Sequence, residues 1–406
     1  MKILQLSNKV PFPEKDGGAL GISVFTNALL QAGHQVRMIA MNTSRQFIEP
    51  ASIPQKLKDA IKLEIVYVDT SIMPVHALLT LLKGKSYNIS RFISQDFKDK
   101  LSSVLKAENF DVIQLEGLYL APYISTIKQL SQAPIIMRAH NIEWMIWQRL
   151  ASEEKNFIKA FYIKKLTAQL KKYEEASINL CAGITTTTAN DMQRLKEMGC
   201  KVPIAHIPFG IDTSKYNVSE PEKETSLFYI GALDWQPNIQ GLDWFLKQVW
   251  PKVHSTLPAL EFHIAGRNMP ATYKNASYPN VFFHGEVNDA QTFINTHEIM
   301  LVPLLAGSGV RVKIIEGLAM GKPIITTSIG LEGINCTNGT DIMVADTPED
   351  FQKAITHCIE NPRFTKSLSE NARRYALKEY DIHAITGRLV QFYEGLINAK
   401  SNLHNR

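Results

Sequence analysis

The run Pro303-Leu304-Leu305-Ala306-Gly307-Ser308-Gly309-Val310-Arg311-Val312-Lys313-Ile314-Ile315-Glu316-Gly317, closed by Met320-Gly321-Lys322-Pro323, decides how the chain folds. The apolar stretch from Ile299 to Leu305 predicts a buried strand, broken at Gly307-Ser308-Gly309. An apolar-periodic segment follows and stops at Gly321-Lys322-Pro323; Ile324 to Thr327 then predicts another strand. Strand, glycine loop, helix and strand make an α/β unit. A helix that starts after small residues offers unpaired backbone N–H groups and a positive dipole end, which suit a phosphate. Arg311 and Lys313 put two cations in its first turn, where the dipole disfavours them and an anion would offset the cost. Glu316, one turn on, is an acceptor-only carboxylate of the kind that grips sugar hydroxyls. Together these residues predict a seat for a nucleoside diphosphate, held by its phosphates and its ribose. The competing reading is an ordinary glycine turn with solvated side chains.

At 406 residues the chain is too long for one core, and two domains are expected. Hydrophobic residues at 45% and charged residues at 20% place it among globular proteins. The net charge of +5 is modest and spread along the chain, which suits an anionic ligand or a membrane surface better than nucleic acid. Cys181, Cys200, Cys336 and Cys358 have no metal-ligand spacing, so reduced thiols are expected. The start of the chain lacks a signal peptide's order, and no run of apolar residues is long enough to span a bilayer. A cytoplasmic protein is the expectation.

Ile3-Leu4-Gln5-Leu6 predicts the first strand, followed by a loop with Gly17 and Gly18, a helix from about Ala19 to Ala32, and a strand from Gln35 to Met41. This opening is Rossmann-like, but the loop does not spell Gly-x-Gly-x-x-Gly, which argues against a dinucleotide. Gly17-Gly18 either lets the backbone approach a ligand closely or is a plain strand–helix turn. Further strands are expected at Leu63 to Val68, Val112 to Leu115, Ile135 to Arg138 and Gly183 to Thr187, alternating with helices in a parallel sheet. Glu153 to Glu175 predicts one long basic-apolar helix, solvated or resting on an anionic membrane. Strand ends deliver Glu116 and His140, where ligands of open α/β sheets bind.

His206-Ile207-Pro208-Phe209-Gly210-Ile211-Asp212 predicts a linker, with the charged stretch Ser219 to Ser226 closing it. Strands then recur at Leu227 to Ile230, Glu261 to Ala265, Val281 to Phe283, Ile299 to Leu305, Ile324 to Thr327 and Ile342 to Val344, with helices at Gly241 to Val249 and Pro348 to Glu360. A second Rossmann-like layer is thus predicted, and a cleft between two such domains is a preferred ligand site. Turns after these strands carry Gly231, Arg267 and Val287.

The segment Gly307-Ser308-Gly309-x-Arg311-x-Lys313-x-x-Glu316 resembles the signature of family 4 glycosyltransferases, retaining enzymes of GT-B architecture that use nucleotide sugars. Those enzymes commonly carry two glutamates; Glu316 matches the second and Ser308 stands at the first, as in a sub-group with Gly-Ser-Gly-x-Arg-x-Lys-x-x-Glu. Arg138-Ala139-His140-Asn141-x-Glu143 and Ile207-Pro208-x-Gly210-x-Asp212 resemble the same group. Ala232 stands where many members have an arginine for the diphosphate, which shifts weight to Arg311 and Lys313.

The resemblance implies an N-terminal, acceptor-side domain at 1–208, a nucleotide-sugar domain at 209–381, and a last helix at 382–406 returning to the first domain. It implies catalytic roles for His140, Arg311 and Lys313, and contact with the sugar donor from Gly17, Gly18, Gly231, Arg267, Val287, Ser308, Gly309, Val310 and Glu316. Glu116 is the candidate for touching an acceptor hydroxyl. The substrates implied are a UDP- or GDP-sugar and a glycan or lipid-linked acceptor of surface polysaccharide, at the cytoplasm or its membrane face, without metal or other cofactor. A non-hydrolysing nucleotide-sugar epimerase and a non-catalytic nucleotide-sugar-binding protein are the open alternatives.

Overall fold

The computed structural model describes residues 1–14, 17–154, 156–216, 218, 226–274, 276–306 and 310–404. The chain divides into two compact units, Met1–Gly210 with Ile382–Arg406, and Ile211–Asp381.

Among the described residues of the first unit, the strands are β1 Lys2–Ser7, β2 Gln35–Thr43, β3 Glu64–Val68, β4 Val112–Glu116, β5 Ile135–Ala139, β6 Gly183–Thr186 and β7 Ile204–His206. They form one parallel sheet in the order β3-β2-β1-β4-β5-β6-β7. Parallel strands are covered on both faces, so their sequences run apolar almost throughout; β4 and β5 are buried at every residue. The three-residue, half-buried β7 is not among the expected strands, and its last residue, His206, opens the expected linker; an edge strand that short has no periodicity. The helix Ile382–His404 packs Ile385, Leu389 and Tyr393 into the core formed by Ile3, Phe25, Val112 and Ile136. The helix expected from Glu153 to Glu175 starts later, as Phe157–Ile178, and Glu153 instead ends a separate helix, Glu143–Glu153. Asn156 caps the helix Phe157–Ile178, its side chain accepting from the Lys159 N–H at 3.1 Å.

The second unit's described strands are β8 Ser226–Ile230, β9 Glu261–Ala265, β10 Val281–Gly285, β11 Ile299–Val302, β12 Ile324–Thr326 and β13 Met343–Val344. Their parallel order, β10-β9-β8-β11-β12-β13, repeats the winding of the first sheet, with the reversal between β8 and β11. The helix predicted at Gly241 to Val249 begins earlier, at Gln236, and runs to Thr256 through a π turn at Phe245–Val249. Pro251 lies just beyond that turn, and its missing N–H and bulky ring require the wider winding. Phe245, Trp250, Phe262 and Phe351 fill the core beneath it. No described helix is long and apolar enough to cross a membrane.

Candidate active site

The carboxyl ends of β8 and β11 flank the point where the second sheet reverses, the usual ligand position in such sheets. Gly307, Ser308 and Gly309 lie outside the described residues, so the expected amide cradle is represented by half-buried Val310. The helix that follows is Val312–Ala319, with Arg311 in its N-cap position. Arg311 is buried, its guanidinium 6.0 Å from the centre of the Trp235 ring.

Lys313 reaches back under β8. Its Nζ donates to Asn238 Oδ1 at 3.0 Å and to the Tyr229 hydroxyl at 3.4 Å, and lies 4.8 Å from the Tyr229 ring centre. Desolvation, reinforced by the neighbouring Arg311 charge, lowers the Lys313 pKa to about 7. Two like charges in a poorly hydrated place favour an anion that stabilises both. Glu316 accepts from the Tyr216 hydroxyl at 2.9 Å. Burial pushes its pKa up, against the Tyr216 hydrogen bond and the Lys313 charge.

The glycines of this site are there for space. A Cβ on Gly231 would stand 2.6 Å from Lys313 Nζ, and one on Gly266 would meet the Gly231 carbonyl at 2.0 Å. Backbone bonds join these turns: Gly231 N–H to the Ala265 carbonyl at 3.2 Å, Gly266 N–H to that of Gly285 at 2.7 Å. Leu233 N–H bonds the Arg267 carbonyl at 3.0 Å, while the Arg267 side chain is exposed. Val287 is half-buried in the turn after β10. The structure thus gathers Gly231, Arg311, Lys313 and Glu316 with Tyr216, Tyr229, Trp235 and Asn238, four partners that sequence reasoning did not name as site residues.

In the first unit His140 follows β5, and its Nε2 lies 2.8 Å from Glu116 Oε2. Glu116 is buried and also accepts from Arg138 Nη1 at 3.3 Å and from Gln114. Arg138, buried as well, donates to the Gly21 carbonyl at 3.2 Å and lies 3.9 Å from the Phe25 ring centre. Arg138 and His140 outweigh the desolvation of Glu116 and hold its pKa below the ordinary value. The ionised carboxylate only accepts, so His140 Nε2 donates to it. Glu116, expected to meet an acceptor hydroxyl, has its carboxylate enclosed and bonded to the imidazole. Gly17 and Gly18 form the first turn of the helix Gly17–Gln31, with open space where a Gly17 Cβ would be. Beyond β1, β2 and β3 lies a cavity of about 340 Å³ lined by Asn8, Thr43, Arg45, Gln46, Thr70, Arg91 and Phe92. Arg91 donates to the Thr70 carbonyl at 3.2 Å, and desolvation and Arg45 lower its pKa.

Residues 16–215 match the family model described as Glycosyltransferase Family 4, and residues 224–361 the one described as Glycosyl transferases group 1. A 44.6 kDa protein from the cps region of Klebsiella pneumoniae, named as uncharacterized, is 24% identical over 94% of this chain and 96% of its own. Among solved structures, HepE of Anabaena in complex with UDP aligns with a TM-score of 0.66 at 13% identity, over 97% of this chain and 100% of that one. Sucrose-phosphate synthase from Thermosynechococcus elongatus aligns with a TM-score of 0.68 at 15% identity, over 98% and 100%. At such identities these two likenesses establish the fold, the two-domain α/β architecture GT-B.

Proposed function

We propose that this chain, a glycosyltransferase by its family 4 and group 1 domains, moves a sugar from a nucleoside-diphosphate donor to a glycan or lipid-linked acceptor with retained anomeric configuration. The observation that carries this reading is the desolvated pair Arg311 and Lys313 at the start of the helix Val312–Ala319, with Glu316 one turn on. The bond from the anomeric carbon to the phosphate oxygen breaks while the bond to the acceptor oxygen forms. The acceptor's proton passes to the departing phosphate. Negative charge grows on the diphosphate, and two preorganised cations stabilise it there in the place a metal would otherwise take. Glu316 grips the ribose. His140, held by Glu116, orients the sugar through a hydroxyl.

HepE forms complexes with UDP and with UDP-glucose, which favours a uridine donor here. The cps-region relative supports a role in surface-polysaccharide synthesis. The cavity with Arg45 and Arg91 suits an acceptor bearing negative charge, such as a lipid-linked diphosphate. Phe157, Ile158 and Phe161 are 80%, 65% and 71% exposed beside Lys164 and Lys165, a surface suited to peripheral contact with an anionic membrane.

The test is calorimetry with UDP and GDP in EDTA, followed by transfer assays with Arg311→Ala. Removing one such charge-stabilising group typically costs about a hundredfold or more in turnover. Tight nucleoside-diphosphate binding and a turnover loss of that size with an intact fold are expected. Binding of neither nucleotide, or near-normal turnover in the variant, would overturn the reading.

A further inference from the structure

Three histidines of the second unit converge on one face of its sheet, at β9 and β10 rather than at the β8–β11 reversal. They are His263 on β9, His284 on β10, and His297 between the helix Ala290–Thr296 and β11. One ring nitrogen from each lies within 4.8 Å of the other two. His263 Nδ1 and His284 Nε2 are 3.0 Å apart.

The outer bonds of the two buried rings fix which nitrogens face inward. His263 Nε2 lies 3.0 Å from Glu261 Oε2, and His297 Nδ1 lies 2.8 Å from the Phe293 carbonyl. An ionised carboxylate and a carbonyl only accept, so those nitrogens carry the protons. The lone pairs of the neutral rings then sit on His263 Nδ1 and His297 Nε2. Carboxylate and carbonyl partners of this kind are what orient imidazoles around a metal ion. Lys322 fixes the turn that carries His297, donating to the His297 carbonyl at 2.8 Å and to that of Asn295 at 3.3 Å. Phe282 stacks on His263 at 4.9 Å, and Phe293 lies 4.6 Å from His297, so the cluster has apolar walls. His284 is exposed and gives an ion a way in.

We infer that His263, His284 and His297 bind one divalent transition-metal ion of the zinc type. An all-imidazole set suits zinc, whereas magnesium and calcium require oxygen ligands. With Zn–N near 2.0–2.1 Å, three nitrogens around a tetrahedral ion stand about 3.4 Å apart. The exposed His284 ring supplies the adjustment, and water fills the fourth position. The ion ties β9, β10 and the approach to β11 together. Lying at β9 and β10, away from the β8–β11 reversal, it takes no part in breaking the sugar–phosphate bond.

The test uses the full chain without an added histidine tag, stripped with EDTA and titrated with zinc chloride by calorimetry and thermal melting. One ion per chain and a raised Tm are expected, with no such shift from magnesium chloride. His284→Ala, a change at an exposed position, should leave the metal-free Tm unaltered and abolish the zinc-dependent rise. Glu261→Gln should weaken zinc binding by about 10–100-fold. UDP affinity of the stripped protein should equal that of the zinc-loaded protein, which separates this site from the donor site. Absence of stoichiometric zinc binding, or equal binding by His284→Ala, would overturn the site; zinc-dependent UDP affinity would overturn its separation from the donor site.

Discussion

His140 Nε2 and Glu116 Oε2 lie 2.8 Å apart, and the same carboxylate oxygen meets Arg138 Nη1 at 3.3 Å. One enclosed charge therefore serves both a buried guanidinium and an imidazole that is about one-fifth exposed. The two partners differ in what their loss does. Arg138 without Glu116 is an uncompensated buried cation, whereas His140 without Glu116 loses the bond that orients it.

Glu116→Gln should therefore lower both stability, by about 3 kcal/mol or more, and turnover. His140→Ala should lower turnover and leave Tm close to that of the native chain. Because the carboxylate acts through the imidazole, the double variant should turn over no more slowly than His140→Ala alone. Melting curves and transfer rates of the four proteins check this, and additive losses in rate would show that Glu116 acts independently.

Lys313 makes nucleotide binding depend on pH. With its pKa lowered to about 7, Lys313 is partly neutral in the empty protein, and a bound diphosphate favours its charged form. Binding should take up a proton near neutrality, and affinity for UDP should fall as pH rises from about 7 to about 9. The empty fold responds oppositely. An unfolded lysine keeps its proton up to its ordinary 10.5, so the unfolded chain holds more protons between about 7 and 10.5, and stability rises with pH across that window. Calorimetry in buffers of different ionisation enthalpy measures the uptake, and Lys313→Met should abolish it.

Gly231→Ala isolates the space kept for that ammonium group. The new methyl would stand 2.6 Å from Lys313 Nζ and 2.9 Å from the Tyr229 hydroxyl. A lysine tip can move, so the fold survives and Lys313 is displaced from its seat. Losing a charge-assisted hydrogen bond of about 1.5–3 kcal/mol corresponds to about 10–100-fold in affinity. UDP affinity should fall by that amount while Tm changes little.

The sequence exposed the fold because buried parallel strands such as β4, β5 and β11 are apolar along their whole length. It exposed Arg311, Lys313 and Glu316 because one loop and helix carries all three in a recognisable order. Their partners were hidden. Tyr216, Tyr229 and Asn238 reach the site from distant segments, and an isolated tyrosine or asparagine has no period to betray it. The bonds of Glu116 have no sequence signal either, because a strand-end carboxylate shows no partner in sequence and only the fold brings Arg138 and His140 to it. The three histidines follow no recognised ligand spacing, and β9–β10 pairing alone brings His263 to His284.

The exposed apolar residues Phe157, Ile158 and Phe161 predict adsorption to membranes. Substituting Phe157→Glu and Phe161→Glu together removes two exposed rings and adds two charges that anionic lipid repels. Vesicles rich in anionic lipid should sediment the native chain and much less of the variant, with soluble-donor binding unchanged in both. Equal sedimentation of the two would show that this end of the helix Phe157–Ile178 is only solvated.

Glu174 should make the first unit less stable as pH rises through neutrality. The buried carboxyl accepts from the N–H groups of Glu143 at 3.1 Å and Trp144 at 3.0 Å, capping the helix Glu143–Glu153 from another element. Burial outweighs those bonds and pushes its pKa up to about 8, with the neighbouring Glu143 charge adding to the rise. Unfolded, the same group titrates near 4.5, so between about 4.5 and 8 the folded chain holds the extra proton and stability falls with increasing pH. Glu174→Gln keeps a carbonyl for one of the two N–H groups and cannot ionise. Its denaturant midpoint should lose this part of the pH dependence, and an unchanged slope between pH 5 and 8 would assign that dependence to other groups.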